Sequence, residues 1–145
     1  MIRSLGQRTD RAAIRDSMDR DSGVITHPKF RIWLRPDGIV QMVWAPRTTA
    51  LLEDATAALE ATAQITDGRR SPLLVDMRDT GPQDRPTRAE WTSRSDLSSA
   101  VALIVGTPLS RIVGNLFIRV NRPQFPVRLF DNEASALAWL LEFVG

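Results

Sequence analysis

The stretch "FRIWLRPDGIVQMVWAP", residues 30–46, is the strongest local signal of structure in this chain. Apolar and polar residues alternate over residues 30–34, and a second apolar-rich run follows over residues 39–44, as in paired β-strands. Between the two runs, Pro36 favours a turn and Gly38 accepts the positive φ angle that such a turn needs. The stretch therefore predicts a β-hairpin.

The residues that follow the hairpin change to a helical period. Residues 48–70 have acidic residues, Glu53 and Asp54, in the first turn and Gly68 just past the end, which is the pattern of a helix. Its apolar residues recur at helical spacing and predict one buried face. We expect that face to contain Leu52, Ala55, Leu59 and Ala63, with Leu51, Ala58 and Ile65 beside them.

Three strands and three helices follow. The runs "PLLVDM" (72–77), "AVALIVG" (100–106) and "PVRLF" (126–130) are continuously apolar, which is typical of parallel strands buried on both faces. A Thr87-x-x-Glu90 capping box, Thr107 before Pro108, and Asp131 mark three helix starts. The sequence predicts an α/β fold with a five-stranded mixed sheet, in which a leading antiparallel hairpin strand precedes four βα units, and four helices.

Length and composition indicate one domain. With 145 residues, 43% of them hydrophobic, the chain can bury one core, which we place at residues 24–145. Residues 1–22 hold five arginines and four aspartates and are expected to form a mobile or loosely helical extension. The longest apolar run, "AVALIV", is too short to cross a bilayer, and the first residues lack a signal-peptide core. We expect a cytoplasmic protein with no membrane insertion.

The charge pattern argues against nucleic acid as a partner. The pI of 10.3 accompanies a net charge of only +2, because the acids nearly balance the basic residues, nearly all of which are arginines. The arginines are scattered and mostly neighbour acids, rather than forming a basic stripe. The chain has no cysteine, so it offers neither a thiolate nucleophile nor thiolate metal ligands. We expect no cofactor.

Several motifs, in this order of elements, resemble a known family. The runs "LLVDMR", "AVALIVG", "SRIVGN", "NRP" and "RLFDNEASALAWL" are similar to those of SpoIIAA-like proteins. The resemblance covers residues 28–144 and is to small bacterial STAS-like domains of unknown role. STAS domains are modules shared by sulfate transporters and anti-sigma-factor antagonists. The resemblance implies a regulatory module that binds a protein partner and is not an enzyme.

The family resemblance also points to a loop and helix start. The STAS pattern Asp-Ser-[Ser/Thr]-Gly, with its phosphorylatable serine, aligns with residues 84–87 when Asp76 is matched. Asp84 agrees with the pattern, but Arg85 and Pro86 replace the serine and Thr87 is the one hydroxyl left. We therefore expect Thr87 to be a helix cap first and a phosphorylation site second. The expected binding residues here are Asp84, Thr87, Trp91 and Arg94.

A second candidate surface lies in "SRIVGNLFIRVNRPQFP", residues 110–126. Here Gly114, Asn115 and Asn121 are placed among large apolar residues, as in a pocket wall or docking face. The competing interpretation is that Gly114 lets the helix sit close to the sheet and Asn121 caps its end. The alternative function is therefore a carrier of a small apolar ligand or lipid, with a pocket near residues 112–117.

Two further hypotheses concern single features. Trp33 lies on the opposite strand face from Ile32, so it is expected to point outward from an edge hairpin and form a homodimer interface, unless the N-terminal segment covers it.

An enzyme or metal site using Asp76, Asp79 and Asp84 is the least favoured function, because no histidine or lysine lies nearby to complete it.

Overall fold

The computed structural model describes residues 23–145, and the predicted extension at residues 1–22 lies outside that part. It contains one six-stranded mixed sheet and four α-helices. The strands are β1 Val24–Thr26, β2 Phe30–Leu34, β3 Val40–Trp44, β4 Ser71–Asp76, β5 Ser98–Ile104 and β6 Val127–Phe130. The helices are α1 Leu52–Thr66, α2 Arg85–Glu90, α3 Pro108–Leu116 and α4 Glu133–Leu140.

The strands lie side by side in chain order. β2 pairs antiparallel with β3, and β3 to β6 are mutually parallel, as the sequence predicts. The five-strand count is wrong, because β1 adds a sixth strand antiparallel to β2. β1 is only three residues long and joins β2 through a tight turn in which His27 N–H donates to Phe30 O at 2.8 Å. Such a short strand leaves almost no periodic signal.

Because the strands lie in chain order, three helices cover one face of the sheet and one helix covers the other. Each right-handed crossover moves the chain one strand further in the same direction, so the crossover helices α1, α2 and α3 share one face of the sheet. On that face, Ile32 and Met42 belong to the same cluster as Ala58 of α1, while Val101 packs with Val113 of α3. The last helix, α4, covers the other face, where Leu140 packs on small strand residues, Ala100 and Ala102.

Helix α1 faces the sheet mainly with small residues, among them the predicted Ala55 and Ala58, and the predicted Leu59 is half-buried. Leu51 and Leu52 are 46% and 45% exposed, and the buried positions are Asp54, Ala55, Ala58, Ala61, Thr62 and Thr66. The buried threonine hydroxyls donate to carbonyls four residues earlier, each at 2.8 Å, which satisfies them without water. Small side chains let α1 lie close to the strands.

Asp54 anchors the start of α1 to the first hairpin. Its buried carboxylate accepts hydrogen bonds from Leu51 N–H at 2.8 Å and from Lys29 Nζ at 2.6 Å. Burial opposes ionisation, yet the Lys29 ammonium and the Leu51 N–H together hold the pKa of Asp54 below its ordinary value of 3.8. Folding therefore favours the ionised carboxylate.

Of the two other predicted helix starts, one is confirmed and one is wrong. Thr107 caps α3 with Pro108 at its first position, as predicted, and its Oγ1 accepts from Ser110 N–H. The cap of α4 is Asn132 rather than Asp131, because the side-chain Oδ1 of Asn132 accepts from Ser135 N–H at 2.8 Å. Among the helices of residues 23–145, none has the length and apolar character needed to cross a membrane.

Asp54→Asn should make stability less dependent on acid pH. Because the folded pKa of Asp54 is depressed, its contribution is present above the unfolded pKa and is lost as pH falls through the folded value. Urea unfolding from pH 7 to pH 3 should show a shallower decline for Asp54→Asn than for wild type. At pH 7 the variant should lose about 1 to 3 kcal/mol, since a charge-assisted bond is removed.

Glu53→Gln is the control for this experiment, because Glu53 lies exposed in the same helical turn. It should preserve the wild-type pH dependence. Equal flattening by both substitutions would show that the helix dipole, rather than the Lys29–Asp54 contact, sets the acid response.

Candidate functional site

A cavity of about 90 Å³ lies between the sheet and helices α1, α2 and α3, and it is partly open to solvent. Its wall is mostly apolar. The sheet contributes Met42, Trp44, Leu73, Val75, Val101 and Leu103, and the helices and loops contribute Leu59, Met77, Trp91, Val113, Phe117 and Phe125. Five polar side chains also reach the wall: Thr62, Thr80, Gln83, Arg88 and Ser98.

The shortness of α2 accounts for this cavity. α1 has fifteen residues and α2 only six, so their lengths are about 22 Å and 9 Å at 1.5 Å per residue. The central strands β4 and β5 are six and seven residues long, or about 20 Å and 23 Å. The middle crossover helix is therefore too short to cover the strands beneath it, and space remains between α1 and α3.

The start of α2 differs from the prediction. Asp84, not Thr87, is the N-cap, and its Oδ1 accepts from both Thr87 N–H at 3.0 Å and Thr87 Oγ1 at 2.6 Å. Those two hydrogen bonds lower the pKa of the Asp84 carboxyl. Thr87 is fully buried. A kinase would have to unfold this turn to reach its hydroxyl.

Helix α2 also ends early, because the run "RAEWTSRSDLSS", residues 88–99, predicts a longer helix than the structure has. The hydroxyls of Thr92, Ser93 and Ser95 each donate to a backbone carbonyl three residues earlier, at 2.7 to 2.9 Å. These local bonds compete with helical hydrogen bonding, so the helix stops at Glu90. The predicted capping role of Glu90 is absent, and its carboxylate instead accepts from Thr56 Oγ1 of α1 at 2.8 Å.

Trp91, which the sequence predicts as a binding residue, forms an aromatic part of the cavity wall. Its ring meets that of Trp44 edge to face, with centroids 5.9 Å apart. Its Nε1–H donates to Gln83 Oε1 at 2.9 Å, so the polar end of the indole is already satisfied. The indole therefore offers the cavity chiefly its apolar ring.

Arg88 is the charged residue of the cavity wall, and it is not among the binding residues predicted from the sequence. Its Nη1 donates to the Gln83 backbone carbonyl at 2.5 Å. Its Nε is buried and has no hydrogen-bond partner, and within residues 23–145 Arg88 forms no ion pair. The sequence does contain an indication of this role, because Arg88 and Trp91 are three residues apart, a spacing that places them on the same face of a helix.

Helix α3 divides its residues between the cavity and the surface. Val113, Gly114 and Phe117 line the cavity, whereas Ile112 is 63% exposed and Asn115 is exposed. A Cβ on Gly114 would lie 2.8 Å from Leu129 Cδ2 of β6, so the glycine permits close packing of helix on sheet. The expected pocket near residues 112–117 is thus lined by only part of that segment.

The other expected binding residues do not join the cavity wall. The predicted cap at Asn121 is wrong, because Arg122 ends the π-helical turn that follows α3, in the left-handed conformation with φ 45°. Asn121 is the last residue of that turn, and its Oδ1 is buried without a partner. Arg94 is exposed and pairs with Asp96 at 3.1 Å.

The three aspartates of the least favoured hypothesis do not form one cluster. Asp76 is paired with Arg78 at 2.6 Å, Asp79 is exposed, and Asp84 caps α2. In the described part of the chain, no three carboxylate or imidazole groups are close enough to hold a metal ion together.

The premise for a Trp33 interface was that β2 is an edge strand, and this is wrong. β1 pairs along β2, with Val24 opposite Trp33, and the indole is half-buried. The Arg31 guanidinium also lies over the ring, 5.7 Å from its centroid. Formation of a homodimer stays a prediction, now without its original structural reason.

Comparison with known proteins places this arrangement in a family. The profile described as domain of unknown function DUF7793 matches residues 32–144, most of the chain. The chain belongs to the DUF7793 family. Among curated proteins, none matches its sequence.

One solved structure shares the fold of this DUF7793 domain. It is an uncharacterized protein of the DUF3478 family with a SpoIIAA-like fold, from Shewanella loihica PV-4. The two are 15% identical with a TM-score of 0.56, and the match covers 81% of this chain and 93% of that one. The SpoIIAA-like resemblance is thus confirmed at the level of fold.

A protein of unknown function from Arthrobacter sp. FB24 is 28% identical to this DUF7793 domain. The match covers 83% of this chain and 98% of the other, with a TM-score of 0.32.

Thr87→Val should destabilise the domain by about 1 kcal/mol, because it removes a buried hydroxyl that donates to Asp84 while preserving side-chain shape. Chemical denaturation measures the change. Thr92→Val is the control, since the Thr92 hydroxyl makes only a local, exposed bond to Ala89 O, and its effect should stay within about 0.5 kcal/mol. Equal effects of both substitutions would contradict a specific role for the Asp84–Thr87 pair.

Proposed function

We propose that this domain is a non-enzymatic binding module whose cavity, between the sheet and helices α1 to α3, takes a small and mostly apolar molecule. The observation that carries the proposal is the cavity itself. Interiors of folded proteins are close-packed, and most voids in them are no larger than a water molecule. A space of about 90 Å³ lined by aromatic, methionine and aliphatic side chains is unfavourable to leave empty.

The size of the cavity limits the ligand. One water needs about 10 to 15 Å³ in this measure, so 90 Å³ accommodates roughly six to nine non-hydrogen atoms. Because the cavity is partly open, a longer chain can extend toward solvent. The fitting molecules are short aliphatic chains or single aromatic rings.

The polar side chains of the wall support binding rather than catalysis. Thr62 Oγ1 donates to Ala58 O and Thr80 Oγ1 to Met77 O, so both hydroxyls are engaged by backbone. Among the described residues that line the cavity, none is a carboxylate or a histidine. General acid–base chemistry relies on such groups held within hydrogen-bond reach of a substrate.

Leu59→Trp should abolish binding of a small apolar probe. Leu59 lines the cavity from α1 and is half-buried, so a larger side chain fills the space without requiring a fully buried position to expand. Titration with 1-octanol, followed by ¹H–¹⁵N chemical shifts, should perturb cavity residues in wild type and leave the variant unperturbed.

Leu52→Trp is the matched control on the same helix, because Leu52 is exposed and outside the cavity wall. It should bind 1-octanol like wild type. Equal binding by the Leu59 variant, or octanol shifts confined to the surface of α3, would contradict the cavity as the binding site.

A second candidate function, a regulatory module that binds a protein partner, is favoured by the outer face of α3 and the turn after it. Leu109, Ile112, Leu116 and Val120 recur every three or four residues and are between 41% and 63% exposed. We call these four residues the α3 stripe. Arg119 and Arg122 are exposed beside it, and no acidic residue occurs between residues 107 and 130. The fitting partner is an acidic amphipathic helix of another protein.

The α3 stripe can be tested with a designed helical peptide that carries leucine on one face and glutamate on the other. Wild type should bind it, and Ile112→Glu should weaken binding about tenfold or more. Leu141→Glu, at an exposed leucine after α4, should leave binding unchanged. Equal binding of a leucine–lysine peptide, or binding of anionic vesicles in place of the peptide, would overturn an acidic protein helix as the partner.

A further inference from the structure

We infer that Arg88 selects the ligand of the cavity by binding a carboxylate, which makes the ligand class a small amphipathic carboxylic acid. The inference rests on the proposed function, because it names the chemistry of what the cavity holds. The first observation is the donor count at Arg88. A guanidinium carries five N–H donors and no acceptor, and protein bonds account for only part of them here. Nη1 donates to Gln83 O, and no described residue accepts from Nε or Nη2.

The unused donors have the geometry that a carboxylate requires. Nε and Nη2 lie along one edge of the planar guanidinium, and this edge can donate two parallel hydrogen bonds to the two oxygens of a carboxylate. The bond from Nη1 to the Gln83 carbonyl fixes the opposite side of the group. Arg88 is thereby held with its Nε–Nη2 edge lacking an acceptor among the described residues.

Neighbouring acids form no salt bridge with this guanidinium, although Asp84 is near enough for the Arg88 charge to help lower the pKa of its carboxyl. The Asp84 carboxylate is bound by Thr87, and the Glu90 carboxylate accepts from Thr56, so both already have partners. Within residues 23–145 Arg88 forms no salt bridge, whereas Arg35, Arg78, Arg94 and Arg111 each pair with an aspartate. Arg88 therefore brings to a mostly apolar cavity wall a guanidinium that has no salt-bridge partner among residues 23–145.

Burial of the Nε–H makes this one donor costly to leave without a ligand and effective with one. The Nε–H has lost contact with solvent without gaining a partner, which is unfavourable for any donor and more so for a charged one. A carboxylate would satisfy Nε and neutralise the guanidinium, while its hydrocarbon part contacts Trp91, Val101 and Phe125. Only a molecule with both a carboxylate and a hydrocarbon part can pair with Arg88 and also contact the apolar side chains of the cavity.

The test compares octanoate with 1-octanol, two probes of the same chain length that differ in charge. Chemical-shift titrations of wild type and Arg88→Met should show octanoate binding weakened about tenfold or more in the variant, and 1-octanol binding nearly equal in both. Arg85→Met is the matched control, because Arg85 lies exposed on the same helix and does not line the cavity. It should bind both probes like wild type.

If Arg88→Met does not fold, Arg88→Lys carries the test, since a lysine keeps the charge but cannot donate along two parallel bonds, and octanoate should still bind more weakly than to wild type. Unchanged octanoate affinity in the folded Arg88 variant, with both probes bound, would overturn the role of Arg88 and leave the cavity as the site. Failure of wild type to bind either probe would overturn the proposed function itself.

Discussion

The constraint on which this structure depends is the handedness of its crossovers. β3 to β6 lie in chain order, and every right-handed connection advances in one direction, so α1, α2 and α3 must share a face. On that face the six residues of α2 cannot cover the strands between two longer helices. The cavity follows from this mismatch of lengths, and the same helix α3 that lines it with Val113 and Phe117 exposes Ile112 to solvent.

Local signals predicted the parts of the fold that local physics controls. The hairpin at residues 30–44, the parallel strands and the Thr107 cap all follow from periodicity and capping chemistry within a few residues. The predictions are wrong where the local preference is weak and contacts elsewhere in the folded chain determine the structure. β1 is too short to show a period, and α2 ends early because hydroxyl side chains after Glu90 bond to nearby carbonyls. Leu51 and Leu52 are exposed because Ala and Thr allow α1 closer to the sheet.

The candidate site was predictable only in part. Trp91 and Gly114 were selected for chemical character, and both line the cavity. Arg88 was missed because its significance depends on what surrounds it: a buried Nε without a partner is a property of the folded chain and not of the letters "TRAEW". Thr87 was expected to be a helix cap first and a phosphorylation site second, yet its hydroxyl is buried against Asp84 and holds the turn from which Arg88 extends.

A crystal structure of the protein pressurised with xenon would test most directly whether the cavity is a real, apolar space. Xenon occupies apolar cavities without needing hydrogen bonds, so it reports the space independently of any ligand. This account predicts xenon density between the sheet and α3, in contact with Val101, Val113 and Phe125. Side chains collapsed into that space, with xenon absent from it, would contradict the account.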